Sequence, residues 1–528
     1  MAWYEEAVFY HIYPLGLTGA PTKNPYSEPV ERLDGLLPWL EHIKGLGCNA
    51  LYIGPLFQSV GHGYETTDYY TLDGRLGTNE TLKRFVRRAH ELGIRVVLDG
   101  VFNHVGRDFF AFRDVLQHRE GSVYIPWFCN VNFHSNNRFG DGLRYDNWGG
   151  DDALVKLNQR NPDVRDYFSN VIRFWVREFD IDGIRLDAAD VLDHGFMQAL
   201  RCIANEVKPE FWLMGEVIHG NYSMWVNDRT LHCVTDYQLH QALFSGHNEH
   251  NYFEIAHTVD RIYQMGLRLY SFVDNHDVER IWTKLKEKAH FLPVHILLYT
   301  LPGMPSVYYG SEFGIDGRKI SGSDAPLRPA LNLDDFRDNA QAKLVASLGR
   351  IRLGNKVLNY GDYTQLHLTN TQYAFSRSCG QWDVLVAVNN ENTPATMGLR
   401  AKCGSYIGGL SGVKVTARNG RIHFTLGGNA GEIWIPEGLS GADLTPILEQ
   451  VRQKLRSAPA HQPAPARQQS VPVAAPAGKS YEHMTVPELQ QAILDKMAKN
   501  GPVTDRMRQD VIENIWRDSL ITWVKSFQ

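Results

Sequence analysis

Nothing in this 528-residue sequence approaches the ~20 consecutive apolar residues of a membrane-spanning helix, so no membrane partner is expected. Cysteine is scarce and scattered. Cys48, Cys129, Cys202, Cys233, Cys379 and Cys403 form no CxxC pair, which argues against a disulfide-stapled scaffold or a zinc ribbon and reads as reduced, mostly buried thiols. An excess of one charge is also missing: a formal net charge of -5 gives no reason to expect a nucleic-acid or polyanion partner. The opening residues, MAWYEEAVFYHIYP, lack the basic start and long apolar run of a signal peptide, and the expected location is the cytoplasm. What the chain does have is core-forming mass. Hydrophobic residues make up 43%, with 24 Phe, 24 Tyr and 12 Trp. At about 150 residues per domain, the length predicts three to four domains.

Eight short apolar runs recur between helix-like stretches: VFYHIYP (8–14), ALYIGPL (50–56), RVVLDGVF (95–102), GIRLDAA (183–189), FWLMGEV (211–217), CVTDYQL (233–239), LYSFVDN (269–275) and MPSVYYG (304–310). Strands alternating with helices predict a parallel sheet, and eight is the number that closes a barrel. The expected fold is therefore α/β, a (β/α)8 TIM barrel in two parts, 1–103 and 159–354. Between them, residues 104–158 are rich in Gly, Asn, Asp and aromatics and too long for a plain loop, so they read as an inserted B domain. From 355 to 440 the pattern turns to alternation (YTQLHL, QYAFSRS, WDVLVAVNN, RIHFTL, GEIWIP), which predicts an antiparallel β-sandwich. A helix over 441–457, capped by Thr445 with Pro446 at its first position, precedes a Pro/Ala-rich extended linker over 458–480. Residues 481–528 read as a small helical hairpin: Thr485 and Glu488 form a capping box, and Asn500-Gly501-Pro502 ends the first helix. Such a module suits self-association or protein docking.

Barrel active sites lie at the C-terminal ends of the strands. The third strand ends in DGVFNH, bringing Asp99, Asn103 and His104; the fourth in Arg185 and Asp187; the fifth in Glu216; the seventh in DNHD, bringing His276 and Asp277. A lone strand-end carboxylate is more often a cap or a surface ion pair. Four strand ends delivering such groups to one mouth suggest acid–base work on a sugar. Retaining glycoside hydrolysis needs a carboxylate nucleophile and a protonated carboxyl about 5 Å apart. Arg185 beside Asp187 is expected to hold that carboxylate ionised, and Asp277 to raise Glu216 by like-charge repulsion. The rival is a metal-hydrolase barrel, disfavoured because YHIYP at the first strand supplies one His and no His-x-His pair.

Taken together in order, DGVFNH, GIRLDAADVL, GEV and FVDNHD resemble the α-amylase family, glycoside hydrolase family 13, over roughly residues 5–437. The resemblance implies a catalytic barrel, a B domain, a C-terminal β-sandwich and a retaining mechanism on α-glucosidic bonds. It makes Asp187 the nucleophile, Glu216 the general acid/base and Asp277 the transition-state stabiliser. Arg185, His104 and His276 match substrate-fixing residues, with Asp99 and Arg280 counted beside them. In HGYETTDYY, Tyr64 matches the aromatic under the reacting sugar and Asp68 a carboxylate that steadies the site; Asp324 and Arg328 of DAPLR are further candidates. LVKLN (154–158) and LDAADVLDHGFMQALR look like segments of neopullulanases, cyclomaltodextrinases and maltogenic amylases. The chain opens at the first barrel strand, without that group's usual N-terminal β-domain. The implied function is hydrolysis of α-1,4 bonds of maltodextrins or cyclodextrins through a covalent glycosyl-aspartate, with an α-glucan oligosaccharide as partner. The alternatives are an α-glucan transglycosylase on the same site and a non-catalytic α-glucan-binding assembly protein. No cofactor is required and no metal ligand is assigned; Asn103 matches a calcium ligand of some α-amylases, which leaves calcium open.

Overall fold

A strand buried on both faces reads as a continuous apolar run, because one side meets the barrel interior and the other the surrounding helices. All eight runs form such strands. The computed structural model describes residues 2–442, Leu444, Ile447, Glu449 and 486–500. The barrel strands are β1 (Phe9–Ile12), β2 (Ala50–Ile53), β3 (Arg95–Gly100), β4 (Gly183–Leu186), β5 (Trp212–Gly215), β6 (Cys233–Val234), β7 (Tyr270–Phe272) and β8 (Met304–Tyr308). They pair in parallel in the order β6-β5-β4-β3-β2-β1-β8-β7. A parallel bridge between Thr235 and Tyr270 joins the two ends and closes the barrel.

The two faces carry different layers. Phe9, Ala50, Tyr52, Val97, Trp212, Met214, Tyr270, Phe272 and Met304 fill the interior, with Phe9 stacked on Trp212 at 4.9 Å. Their neighbours in sequence, such as Tyr10, Leu51, Val96, Leu98, Ile184 and Leu213, pack in the larger core outside. Helix Pro162–Phe179 shows how that outer layer is built. The Asn161 side chain accepts from the Asp163 and Val164 amides, and Pro162 sits at the first position, where no amide is needed. Val164, Phe168, Val171, Ile172, Trp175 and Phe179 form its buried stripe. Trp175 stacks on Phe57 at 4.3 Å and donates its indole N–H to the Tyr69 carbonyl at 2.7 Å. Burial of each large side chain contributes about 1.5–3 kcal/mol.

Directly after β3 the chain leaves the barrel for a three-stranded sheet of His104–Gly106, Asp151–Lys156 and Asn147–Trp148, with helix Phe110–His118. His104 pairs with Lys156 across it, so the insertion begins at a candidate site residue. Beyond the barrel lie β9 (Asp362–Leu368), β10 (Gln372–Cys379), β11 (Trp382–Asn389), β12 (Ala395–Arg400), β13 (Ser405–Gly408), β14 (Lys414–Thr416), β15 (Arg421–Leu426) and β16 (Ala430–Pro436). Six form one sheet, β9-β10-β11-β16-β13-β14, and β12 and β15 form the other. Alternation in the sequence picks out five of the eight. The strands it passes over are short or interrupted by Gly398 and Gly408. Leu385, Ala387 and Trp434 face Met397, Leu399, Ile422 and Phe424 between the sheets, while Val384, Val386, Val388 and Ile433 face the main core.

Val486–Asn500 is a helix, with Leu489, Ala492 and Ile493 buried. Most of the helix expected over 441–457, the linker over 458–480, the Thr485 cap and the second helix of 481–528 lie outside the described residues. Among the described residues, no helix is long and apolar enough to cross a membrane.

Candidate active site

The period of two in β4 decides which side chains enter the barrel mouth. Ile184 and Leu186 pack outward in the main core. Arg185 turns inward and is 3% exposed. Its guanidinium meets three carboxylates: Asp99 Oδ1 at 2.9 Å and Asp187 Oδ1 at 2.8 Å through one nitrogen, and Glu216 Oε2 at 2.8 Å through the other. The approach is close. A Cβ on Gly54 would lie 2.4 Å from that of Asp99, so β2 can pass β3 there only as glycine. Ala188, directly after Asp187, sits at φ 47° in the left-handed region, and its amide donates to Glu216 Oε2 at 3.2 Å. Strain of this kind costs about 1–3 kcal/mol and persists where the surroundings over-determine it.

The other predicted groups gather around this centre. Asp99 Oδ2 accepts from the hydroxyls of Tyr52 at 2.8 Å and Tyr64 at 3.1 Å. The Tyr64 hydroxyl also makes a short contact with His276 Nε2, which stands 3.1 Å from Asp277 Oδ2. Asp277 Oδ1 accepts from Arg328 at 2.7 Å; Arg328 also donates to the His276 carbonyl and lies over the Tyr13 ring. Asp324 is a further partner of Arg328 at 3.2 Å. His104 is buried, with its ring parallel to that of Trp148 from the insertion at 6.4 Å.

Two predicted residues stand apart. Asp68 keeps its carboxylate on its own strand, accepting from the Tyr70 amide at 2.8 Å and the Thr71 hydroxyl at 2.7 Å. It lines a cavity of about 610 Å³ with Tyr26, Tyr70, Phe110, Arg113 and Tyr167, none of which belongs to the carboxylate cluster. Arg280 is fully buried and donates to the carbonyls of Tyr309 and Leu327 and to Ser311 Oγ. It holds the segment that carries Arg328 rather than a carboxylate. Conversely, His11, Tyr52, Tyr237 and Asn275 were not among the predicted residues. His11 stacks on Tyr52 at 4.2 Å. Tyr237 donates to Glu216 Oε1 at 3.3 Å and accepts from Asn275 Nδ2 at 3.1 Å. The signal was available: counting by two from Phe9 reaches His11, and from Ala50 reaches Tyr52.

Electrostatics corrects one expectation. The reading of GIRLDAADVL has Arg185 hold Asp187 below the usual carboxylate range. In the fold one cation is divided among three carboxylates, and burial wins: it pushes Asp187 well up, with Arg185 opposing and Glu216 and Asp99 adding to the rise. Burial also raises Glu216, against Arg185 and with help from Asp277 and Asp99. Neighbouring carboxyls of this kind release their protons in separate steps, and between those steps the pair holds one proton. Burial takes His104 down to about 3, with His62 adding to the effect. It takes His276 well below its ordinary value, aided by Arg328 and Arg185. Both rings are neutral hydrogen-bonding groups near pH 7.

Asn103, the residue matched to a calcium ligand, turns Nδ2 toward His104 Nδ1 at 3.2 Å and leaves a buried Oδ1 without a partner among the described residues. Among the described residues, no group of three or more His, Cys, Asp or Glu could hold a metal ion.

Similarity to known proteins agrees with this geometry. The family described as "Alpha amylase, catalytic domain" matches residues 24–383. A cyclomaltodextrinase of Bacillus sp is 31% identical over 451 residues, covering 79% of this chain and 78% of that protein. Neopullulanase 2 of Thermoactinomyces vulgaris is 30% identical over 454 residues, covering 80% and 76%. A solved cyclomaltodextrinase superposes with a TM-score of 0.73 at 27% identity, covering 82% of this chain and 78% of that one. The chain belongs to the α-amylase family of glycoside hydrolases.

Proposed function

We propose that the protein hydrolyses α-1,4 bonds of maltodextrins or cyclodextrins with retention, through a covalent glycosyl-aspartate. The observation that carries the reading is the single guanidinium of Arg185, which holds Asp187 and Glu216 each at 2.8 Å. Sharing one guanidinium draws the two carboxyls together, as the ~5–5.5 Å pairing of a retaining enzyme requires. Asp187 attacks the anomeric carbon while Glu216 gives its proton to the leaving oxygen, and the glycosidic C–O bond breaks as the C–O bond to Asp187 forms. Glu216, now ionised, takes a proton from water. The water oxygen then attacks the same carbon and frees Asp187. Asp277, steadied by Arg328, faces the positive charge that develops on the ring, and neutral His104 and His276 hydrogen-bond sugar hydroxyls. The substrate class is argued from relatives named cyclomaltodextrinase and neopullulanase.

The test is an incubation with maltotriose, pullulan and β-cyclodextrin side by side, with products separated by size and their first-formed anomer read by NMR. The α anomer is expected, and Asp187→Asn is expected to fold normally and lose turnover by roughly 10³-fold or more. A β product, or an Asp187→Asn variant as fast as the parent, rejects the reading.

A further inference from the structure

The hydrogen-bond direction around Glu216 is fixed from outside the carboxylate cluster. Asn275 Nδ2 has only hydrogens to offer, so at 3.1 Å it makes the Tyr237 oxygen an acceptor. Asn275 cannot turn round, because its Oδ1 accepts from the amides of Asp277 at 2.8 Å and Val278 at 3.1 Å. The Tyr237 proton is left to point at Glu216 Oε1, 3.3 Å away. The other oxygen, Oε2, is occupied by the Ala188 amide and Arg185. Among the described residues, Oε1 is thus the oxygen with a single protein partner and the one free to carry a proton toward a leaving group.

Resting on the reading of Glu216 as general acid, we infer that Tyr237 is a positioning residue that aims Glu216 Oε1 and sets the pH at which it gives up its proton. A donor to the ionised form favours that form, so Tyr237 lowers the pKa that burial raises. Among the described residues, the other charges facing Glu216 are Arg185 on β4, Asp187 directly after it, Asp99 on β3 and Asp277 after β7. Tyr237→Phe leaves all of them in place. Asp236, raised to about 7 by burial, caps the helix that begins at Tyr237, and its Oδ1 is engaged by the Leu239 amide at 2.9 Å. A pH limb that belonged to Asp236 would not move when the Tyr237 hydroxyl is deleted.

The experiment compares the full-length parent, Tyr237→Phe and Glu216→Gln on maltotriose and on α-maltosyl fluoride, whose leaving group needs no proton. In Tyr237→Phe, the alkaline limb of kcat/KM on maltotriose is expected to move up by about one pH unit, as loss of one hydrogen bond to a charged group implies. Its kcat on maltotriose should fall about tenfold while the first-turnover burst of fluoride release is largely kept, the pattern of a misaimed acid. Circular dichroism and thermal melting of each variant check folding. An unmoved limb in a folded Tyr237→Phe, while Glu216→Gln loses maltotriose but keeps the first-turnover burst of fluoride release, overturns the role of Tyr237 and leaves Glu216 as the acid. Equal loss of maltotriose cleavage and of the first-turnover fluoride burst in a folded Glu216→Gln overturns the acid assignment, and the inference falls with it.

Discussion

Arg185→Lys keeps the charge at the centre of the site and removes its fork. The guanidinium reaches Asp99, Asp187 and Glu216 at 2.8–2.9 Å from two different nitrogens. One ammonium is a point charge and cannot span the same three oxygens. Each hydrogen bond to a charged group contributes about 1.5–3 kcal/mol. Losing one, and with it the aim of one carboxyl, implies a kcat/KM lower by roughly 10–150-fold at 1.36 kcal/mol per decade. Arg185→Met removes the charge as well, and breaking a buried ion pair from one side costs about 3–5 kcal/mol. That loss has a pH signature. The Asp187 and Glu216 pKa values are already above those of the unfolded chain, and without Arg185 they rise further. A carboxyl raised on folding contributes its full stability below its unfolded pKa, near 4, and loses it as pH climbs through the folded value. The stability gap between parent and Arg185→Met should therefore widen from about pH 4 to pH 8, read as urea midpoints at each pH. The reasoning is refuted if the gap is constant over that range, or if Arg185→Lys stays within about twofold of the parent.

At the opposite end of β4, Asp182 accepts from the Val96 amide at 2.9 Å and pairs with His90, Arg95 and Lys208 at 2.7, 2.9 and 3.0 Å. Burial pushes its carboxyl up, but these partners outweigh it and hold the pKa down to about 2. Asp182→Asn should cost about 2–4 kcal/mol at pH 7 by urea unfolding, with kcat unchanged, because this face of a barrel serves stability. Since the pKa is depressed, that contribution is present above the unfolded value and is lost as pH falls from about 4 to 2, so an equal cost at pH 2 would contradict the assignment. A chain ended at residue 457 should hydrolyse maltotriose within about twofold of the full-length rate per folded molecule, because the candidate side chains and their contacts, from His11 to Arg328, lie inside 2–442. A loss beyond about tenfold would show that the last 71 residues, 458–528, take part in the site.

The barrel was legible because every one of its strands is buried twice, and a run such as RVVLDGVF has no other use for so many apolar residues. Asp187, Glu216 and Asp277 were legible because each closes such a run. Asp68 and Arg280 show the limit of proximity along the chain. Both lie a few residues from groups that do meet, Tyr64 and Asp277, yet a strand of period two sends Asp68 away from the inward-packed Tyr69, and Arg280 turns to the carbonyls beneath Arg328. Tyr52 and Tyr237 failed the other way: an aromatic in an apolar run looks like core until its hydroxyl is seen to reach Asp99 or Glu216. Strands β12 to β14 were missed because β12 and β13 contain glycine and β14 is only three residues long.

By itself the sequence determined the barrel and which acidic residues follow its strands, since both follow from short-range patterns: the spacing of apolar residues and the residue that ends each strand. What the tertiary structure alone decided is how those acids share charge. The ionisation of Asp187 depends on the number of carboxylates that one buried guanidinium must serve, and Asp99, Asp187 and Glu216 become its neighbours only when β3, β4 and β5 lie side by side.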